Sequence, residues 1–209
     1  MSKKGYFLVF IILISIQALK AQKRVQKTIF DTKDTAIEIN ANDCFLVTIK
    51  TAKNNTILVE AKMEGEYGEE LLLNLYEEGK TLLINTAFNP MFSLPNDKLG
   101  AHKALSISLQ ITIPENMKVQ LYGTYCNVDA TGIYQKISIA LNDGNCVLKD
   151  IKDKATVHTQ SGAIALYTKS GTVSAISKYG KVISDDILAG NQQYQLNSIT
   201  GNIHIYKTE

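Results

Sequence analysis

The chain has 209 residues, with 22 Lys+Arg against 20 Asp+Glu and 45% hydrophobic side chains. So even a balance offers no basic field, which excludes nucleic-acid binding driven by phosphate neutralisation. The length suffices to bury one core without disulfides. The three cysteines, Cys44, Cys126 and Cys146, are an odd count and a poor disulfide framework.

At the N-terminus Lys3 and Lys4 precede an apolar run from Tyr6 to Ile16, followed by Ala18-Leu19-Lys20-Ala21. That run is shorter than the roughly 20 residues needed to span a bilayer, and it has the length of a signal h-region. Residues 1–21 are therefore expected to be a signal peptide, cleaved after Ala21. Cleavage removes Lys3, Lys4 and Lys20 and no acid, leaving a net charge of −1. The protein is expected to be exported to the periplasm or cell surface, with no transmembrane anchor after cleavage. No cysteine directly follows the cleavage point, which argues against a lipid anchor.

Residues 22–117 read as a strand region, mainly antiparallel, because apolar residues alternate with polar ones. Phe45, Val47 and Ile49 alternate with Thr48 and Lys50. After a turn at Asn54-Asn55, Ile57, Val59, Ala61 and Met63 do the same. Leu71–Tyr76 and Thr81–Thr86 flank Gly79 and predict a hairpin, although Glu and Leu would also suit a helix there. Residues 88–103 form the one long irregular segment and hold Pro90 and Pro95. Its apolar members suggest a flap, read first as a cap over the sheet's own core and second as a contact surface. Leu105, Ile107, Leu109, Ile111 and Ile113 then mark the cleanest strand, which Pro114 ends.

Residues 118–209 carry a repeat. An apolar column recurs every nine residues: Val128, Ile137, Cys146, Ala155, Ile164, Val173 and Val182. Turn residues Cys126, Gly144, Gly162 and Gly180 fall eighteen apart, and Gly201 follows after a three-residue insertion. An alternative hexapeptide register would turn Lys152, His158 and Ser170 inward, where even a neutral unpaired polar group costs about 2–7 kcal/mol. The nine-residue register avoids that. It predicts an all-β chain whose N-terminal antiparallel region continues into a flattened β-solenoid of about 18 residues per turn. A tandem meander in a β-sandwich shares the turn spacing and is the competing architecture. In the solenoid register Cys146 is an inward hydrophobe, whereas Cys126 sits at a turn, which argues against a bond between them.

The steps Ser161-Gly162-Ala163-Ile164, Ser170-Gly171-Thr172-Val173 and Thr200-Gly201-Asn202-Ile203 resemble those of a bacterial family of secreted, adhesin-like β-strand-repeat proteins. The approach Ile113-Pro114, then Val119 and Leu121, is similar as well. The resemblance covers roughly residues 105–209. It implies a β-solenoid growing out of an irregular β-region, an adhesin-like role and no catalytic residues. The Ala21-Gln22 junction also resembles those of Bacteroidetes-type exported proteins.

No catalytic, cofactor-binding or metal set emerges. Asp150 and Asp186 share a column with Thr168 between them, and would support a carbohydrate-active enzyme only as an inverting pair. His102, His158 and His204 fall in different columns or regions, so they imply neither a triad nor a metal site. The calcium-binding nonapeptide of other nine-residue repeats is absent. The expected binding surface comprises Phe88, Met91, Phe92 and Leu94 of the flap, with Tyr134, Tyr167, Tyr179 and Tyr194 read as outward or near turns. The function expected is a non-enzymatic binding or structural module of the cell envelope, contacting an envelope protein or a glycan. The alternatives are the carbohydrate-active enzyme and a self-assembling protein that pairs through the last strand, Ile203 to Tyr206.

Overall fold

The computed structural model describes residues 23–30, 36–65, 67–93 and 105–209, which form an all-β, nearly closed, barrel-like sheet of 15 strands. In chain order these are β1 (Lys23–Phe30), β2 (Ala36–Asn40), β3 (Leu46–Ala52), β4 (Thr56–Gly65), β5 (Leu71–Glu78), β6 (Thr81–Phe88) and β7 (Leu105–Pro114). Then come β8 (Met117–Tyr125), β9 (Asn127–Asp143), β10 (Cys146–Thr159), β11 (Ile164–Thr168), β12 (Ser170–Ser177), β13 (Val182–Ser184), β14 (Leu188–Ser198) and β15 (Ile203–Lys207). One 3-10 turn, Gly68–Glu70, precedes β5.

Two faces share the long strands β9 and β10. On the first face the order is β1-β4-β7-β3-β9-β10-β11-β15-β13; on the second, β5-β6-β2-β8 leads into β9 and β10, then β14 and β12. Each long strand changes face at a corner marked by left-handed backbone at Gly132 (φ 125°), Asp150 (φ 50°) and Asp153 (φ 69°). Bulges fall between Lys149 and Lys152 and between Asp153 and Ala155. An added residue at a bulge bends its strand and increases the local twist, which lets one strand serve both faces. Alternate side chains from the two faces bury one continuous apolar cluster between them.

The 71–88 hairpin forms as expected, with Gly79 in left-handed conformation (φ 62°) at its turn. Elsewhere the N-terminal region is less antiparallel than its alternation suggested. β2 lies parallel to both β6 and β8, and β3 parallel to both β7 and β9. β3 and β4 do not pair across the Asn54-Asn55 turn, because β7 runs between them. Period-two alternation determines which side of a strand is buried and leaves its neighbours open.

In the repeat, Val128, Cys146 and Ile164 pair in register eighteen residues apart. The offset then breaks. Ile164 pairs with Ile203, and Ile203 with Val182, so β15 lies between β11 and β13. On the other face Ala155 pairs with Tyr194, and Tyr194 with Val173. Strands β14 and β15, the last long segments of the chain, thus lie between earlier strands, and the column reads 128–146–164–203–182.

The turn glycines show why the stack can be so tight. A Cβ built on Gly162 would meet the Gly144 carbonyl, one on Gly201 the Gly162 carbonyl, and one on Gly180 the Gly201 carbonyl. At these three positions glycine is required by close backbone approach. Gly144 meets both demands, since a Cβ there would strike the Cys126 carbonyl and its φ is 132°, while Gly171 has a positive φ of 148°.

Candidate functional site

The expected binding residues do not form one surface. Leu94 and the expected signal peptide lie outside the described residues. Phe88 and Phe92 stack with centroids 5.6 Å apart, and Tyr67 packs on Phe92 at 5.2 Å. The start of the flap therefore caps its own hairpin, with Met91 left exposed.

Tyr134 and Tyr194 are buried, contrary to the expected outward placement. At the corner of β9 the Tyr134 hydroxyl shares its one proton between the carbonyls of Ile49 (3.1 Å) and Thr131 (3.0 Å). The Tyr194 hydroxyl donates to the Ile151 carbonyl at 2.6 Å and lies 3.0 Å from Thr168 Oγ1. Burial pushes both phenols above their ordinary range. Tyr194 fits inside because its column neighbour is the small Ala155, while Gly171 leaves room at the ring edge: a Cβ there would sit 2.6 Å from Cε2.

Tyr167 and Tyr179 do lie outside. Tyr167 pairs with Tyr206 across β11 and β15, rings stacked at 4.7 Å, with His204 against Tyr206 at 6.0 Å and the Lys149 ammonium 5.8 Å from the Tyr167 ring. Tyr179 stands alone, apart from Lys178 over its ring at 5.0 Å.

The carboxylates of the enzyme alternative are not brought together. Strands β11 and β15 both lie between the one carrying Asp150 and the segment carrying Asp186. Three strand steps amount to about 14 Å, beyond the roughly 6.5–9.5 Å of an inverting pair. Among the described residues no group of three or more His, Cys, Asp and Glu is placed to hold a metal ion. The cysteines are buried and unbonded, Cys126 included. Nor is the last strand an open edge, since β11 and β13 flank it. The edge at that end belongs to β12 and β13, where Ile176, Val182 and Ile183 are exposed.

Sequence reasoning missed a cleft of about 450 Å³ on the second face. It lies where β8, β9, β10 and β14 run parallel toward their C-terminal ends. One wall is a cross-strand row fixed by register: Tyr122, Ala140, His158 and Asn197. The next row, Gly123, Leu141, Thr159 and Ser198, is buried. It is pinned by the Thr159 hydroxyl, which donates to the Gly162 carbonyl at 2.7 Å and lies 2.9 Å from Ser198 Oγ. Thr124, Asn142, Gln160 and Ile199 form the other wall, with Asn42 held to Thr124 by a 2.8 Å hydrogen bond. Side chains two residues apart project to the same side of a strand, so the inward row leaves a trough between two ridges. No Asp, Glu, Lys or Arg lines it.

The sequence matches no protein-family model and no curated protein. Among solved structures, a putative cell adhesion protein from Clostridium sporogenes superposes with a TM-score of 0.66 at 12% identity, over 90% of this chain and all of its own. That likeness is one of fold. A putative adhesin from Bacteroides fragilis (TM-score 0.43, 10% identity, 88% of this chain and 98% of that one) lies below the similarity that supports argument. So does one from Parabacteroides distasonis (0.36, 10%, 88% and 97%). Among the described residues no helix is long and apolar enough to cross a membrane.

Proposed function

We propose that the chain is an exported, non-enzymatic binding module of the bacterial cell envelope, adhesin-like in role, that takes its ligand in the cleft on the second face. In this reading residues 1–21 are a signal peptide, and 22–117 with 118–209 form one continuous domain. The latter part is a flattened β-solenoid whose final coil is inserted. The observation that carries the proposal is the cleft: an open, uncharged trough built from four strands held rigidly in register. Rigid elements place recognition groups well, and its volume falls within the range of about 300–1,000 Å³ seen for ligand sites. The fold shared with the C. sporogenes protein, and the adhesive role that protein's name carries, support the same reading.

The test is retention of the labelled, processed protein on envelope material. Ala140→Arg fills the trough from its middle and is expected to abolish retention. Thr48→Arg, on β3 of the first face and away from the cleft, is expected to preserve it. Equal retention of both would sink the proposal.

A second reading, self-assembly, is favoured by the apolar side chains exposed along β13 at the open end of the stack. It predicts concentration-dependent sedimentation that Ile183→Lys abolishes; a monomer at all concentrations would remove it.

A further inference from the structure

Resting on that reading of the cleft, we infer that its ligand is an uncharged oligosaccharide chain, lying across the strands with a sugar ring stacked on Tyr122. Three observations select this class. The lining carries no fixed charge, in a chain of which 20% of residues are charged. An acidic glycan, a nucleic acid or a phosphorylated group would find no Lys or Arg there to pair with, only His158.

The polar groups present are amides and hydroxyls. The side chains of Asn142, Gln160 and Asn197 make no hydrogen bond to the described protein, although the backbone carrying them is well tied. The Gln160 N–H donates to the Leu141 carbonyl at 3.1 Å, and the Thr200 N–H to the Gln160 carbonyl at 2.8 Å. Three rigidly mounted amides thus offer both donors and acceptors, as sugar hydroxyls require.

At one end of the row Tyr122 is 45% exposed, its hydroxyl lying 3.3 Å from Gln120 Oε1. Beside it the small Ala140 lowers the wall of the trough. An amphipathic ring next to amides suits a ligand with an apolar face and a polar edge, which describes a pyranose.

A peptide is disfavoured by the same geometry. Extended peptides add to open sheet edges through backbone hydrogen bonds, and each of the four strands here is already paired on both sides along the trough. From Tyr122 to Asn197 the row spans three strand steps, about 14 Å. That favours a short stretch of chain over a single sugar.

The test is calorimetric titration of the processed protein with neutral hexasaccharides (β-1,4-xylan, α-mannan and chitin fragments), an oligogalacturonate, and an uncharged decapeptide. At least one neutral hexasaccharide is expected to bind. The affinity should change less than about twofold between low and high salt, because no ion pair is screened. Tyr122→Ala should weaken it about tenfold by loss of the stacking face. Asn197→Ala should weaken it severalfold, and Thr48→Arg on β3 of the first face should leave it unchanged. Binding of the oligogalacturonate or the peptide alone, or of none of the probes, overturns the assignment. If Ala140→Arg abolishes retention on envelope material while no neutral oligosaccharide competes for it, the ligand class is wrong and the cleft stands. If Ala140→Arg leaves retention intact, the cleft itself is wrong.

Discussion

Replacing Gly162 by alanine puts a methyl group 2.5 Å from the carbonyl carbon of Gly144 and 3.0 Å from its nitrogen. Ordinary van der Waals contact begins near 3.4 Å, so the turn into β11 must draw away from the coil below. Two hydrogen bonds hold that junction: Cys146 N–H to the Ala163 carbonyl at 2.9 Å, and Ala163 N–H to Asn145 Oδ1 at 3.1 Å. Losing both costs about 1 kcal/mol each, and overpacking adds about 1–3 kcal/mol. The expected loss for Gly162→Ala is therefore about 3–5 kcal/mol, a fall in melting temperature of about 10 °C for a chain of this size. Gly79→Ala is the control. Gly79 has φ 62° and nothing within 4 Å of an added Cβ, so only backbone strain remains, about 1 kcal/mol. Thermal melts followed by circular dichroism, with urea titration as a second measure, read the difference. Equal losses in the two variants would refute the argument that glycine is required at Gly162 by backbone approach.

Tyr194→Phe leaves the Ile151 carbonyl without its 2.6 Å donor inside the core, and should cost about 1–3 kcal/mol. Tyr179→Phe on the surface should change stability by less than about 0.5 kcal/mol, and equal effects in a urea titration would contradict the burial assigned here. The buried thiols give a pH prediction. Burial pushes Cys44 and Cys126 up from 9.0 to about 12, and Cys146 upward as well. Between pH 9 and 12 the unfolded chain releases these protons and the folded one keeps them, so stability falls as pH rises through that window and is unaffected by the thiols below it. Native protein should accordingly resist a thiol reagent at pH 8 until denatured, and rapid native labelling would show the thiols to be accessible.

The pairing of β9, β10 and β11 was legible because a turn residue (Cys126, Gly144, Gly162) recurs with an apolar residue two positions on, and that spacing matches the register of Val128, Cys146 and Ile164. The insertion of β14 and β15 was not legible in the columns, since Val182 and Ile203 are equally suited to follow Ile164. The step Thr200-Gly201-Asn202-Ile203 repeats the chemistry of Ser161-Gly162-Ala163-Ile164 and carries no mark of order. The usable signal lay elsewhere. Ala155 and Gly171 are the small residues that a tyrosine in the inward column requires, and they identify Tyr194 as its occupant. Tyr134 was misplaced because the corner bulges break the alternation on which its outward reading depended. The cleft was half visible. Tyr122, Ala140 and His158 are eighteen apart, but the fourth member, Asn197, joins them only because β14 lies beside β10. Asp150 and Asp186 were read as two coils apart, and the same insertion adds a strand between them.

The order of that stack underlies both the fold and the cleft, and proximity of engineered thiols tests it directly. The structure pairs His158 with Asn197, and Asn197 with Ile176. A stack built in chain order at eighteen residues per turn would instead put His158 beside Ile176. In the full chain His158→Cys with Asn197→Cys should react rapidly with a short bifunctional thiol reagent, the native thiols being buried. His158→Cys with Ile176→Cys should react slowly or not at all. The reverse pattern would contradict the placement of β14 between β10 and β12 and remove Asn197 from the cleft.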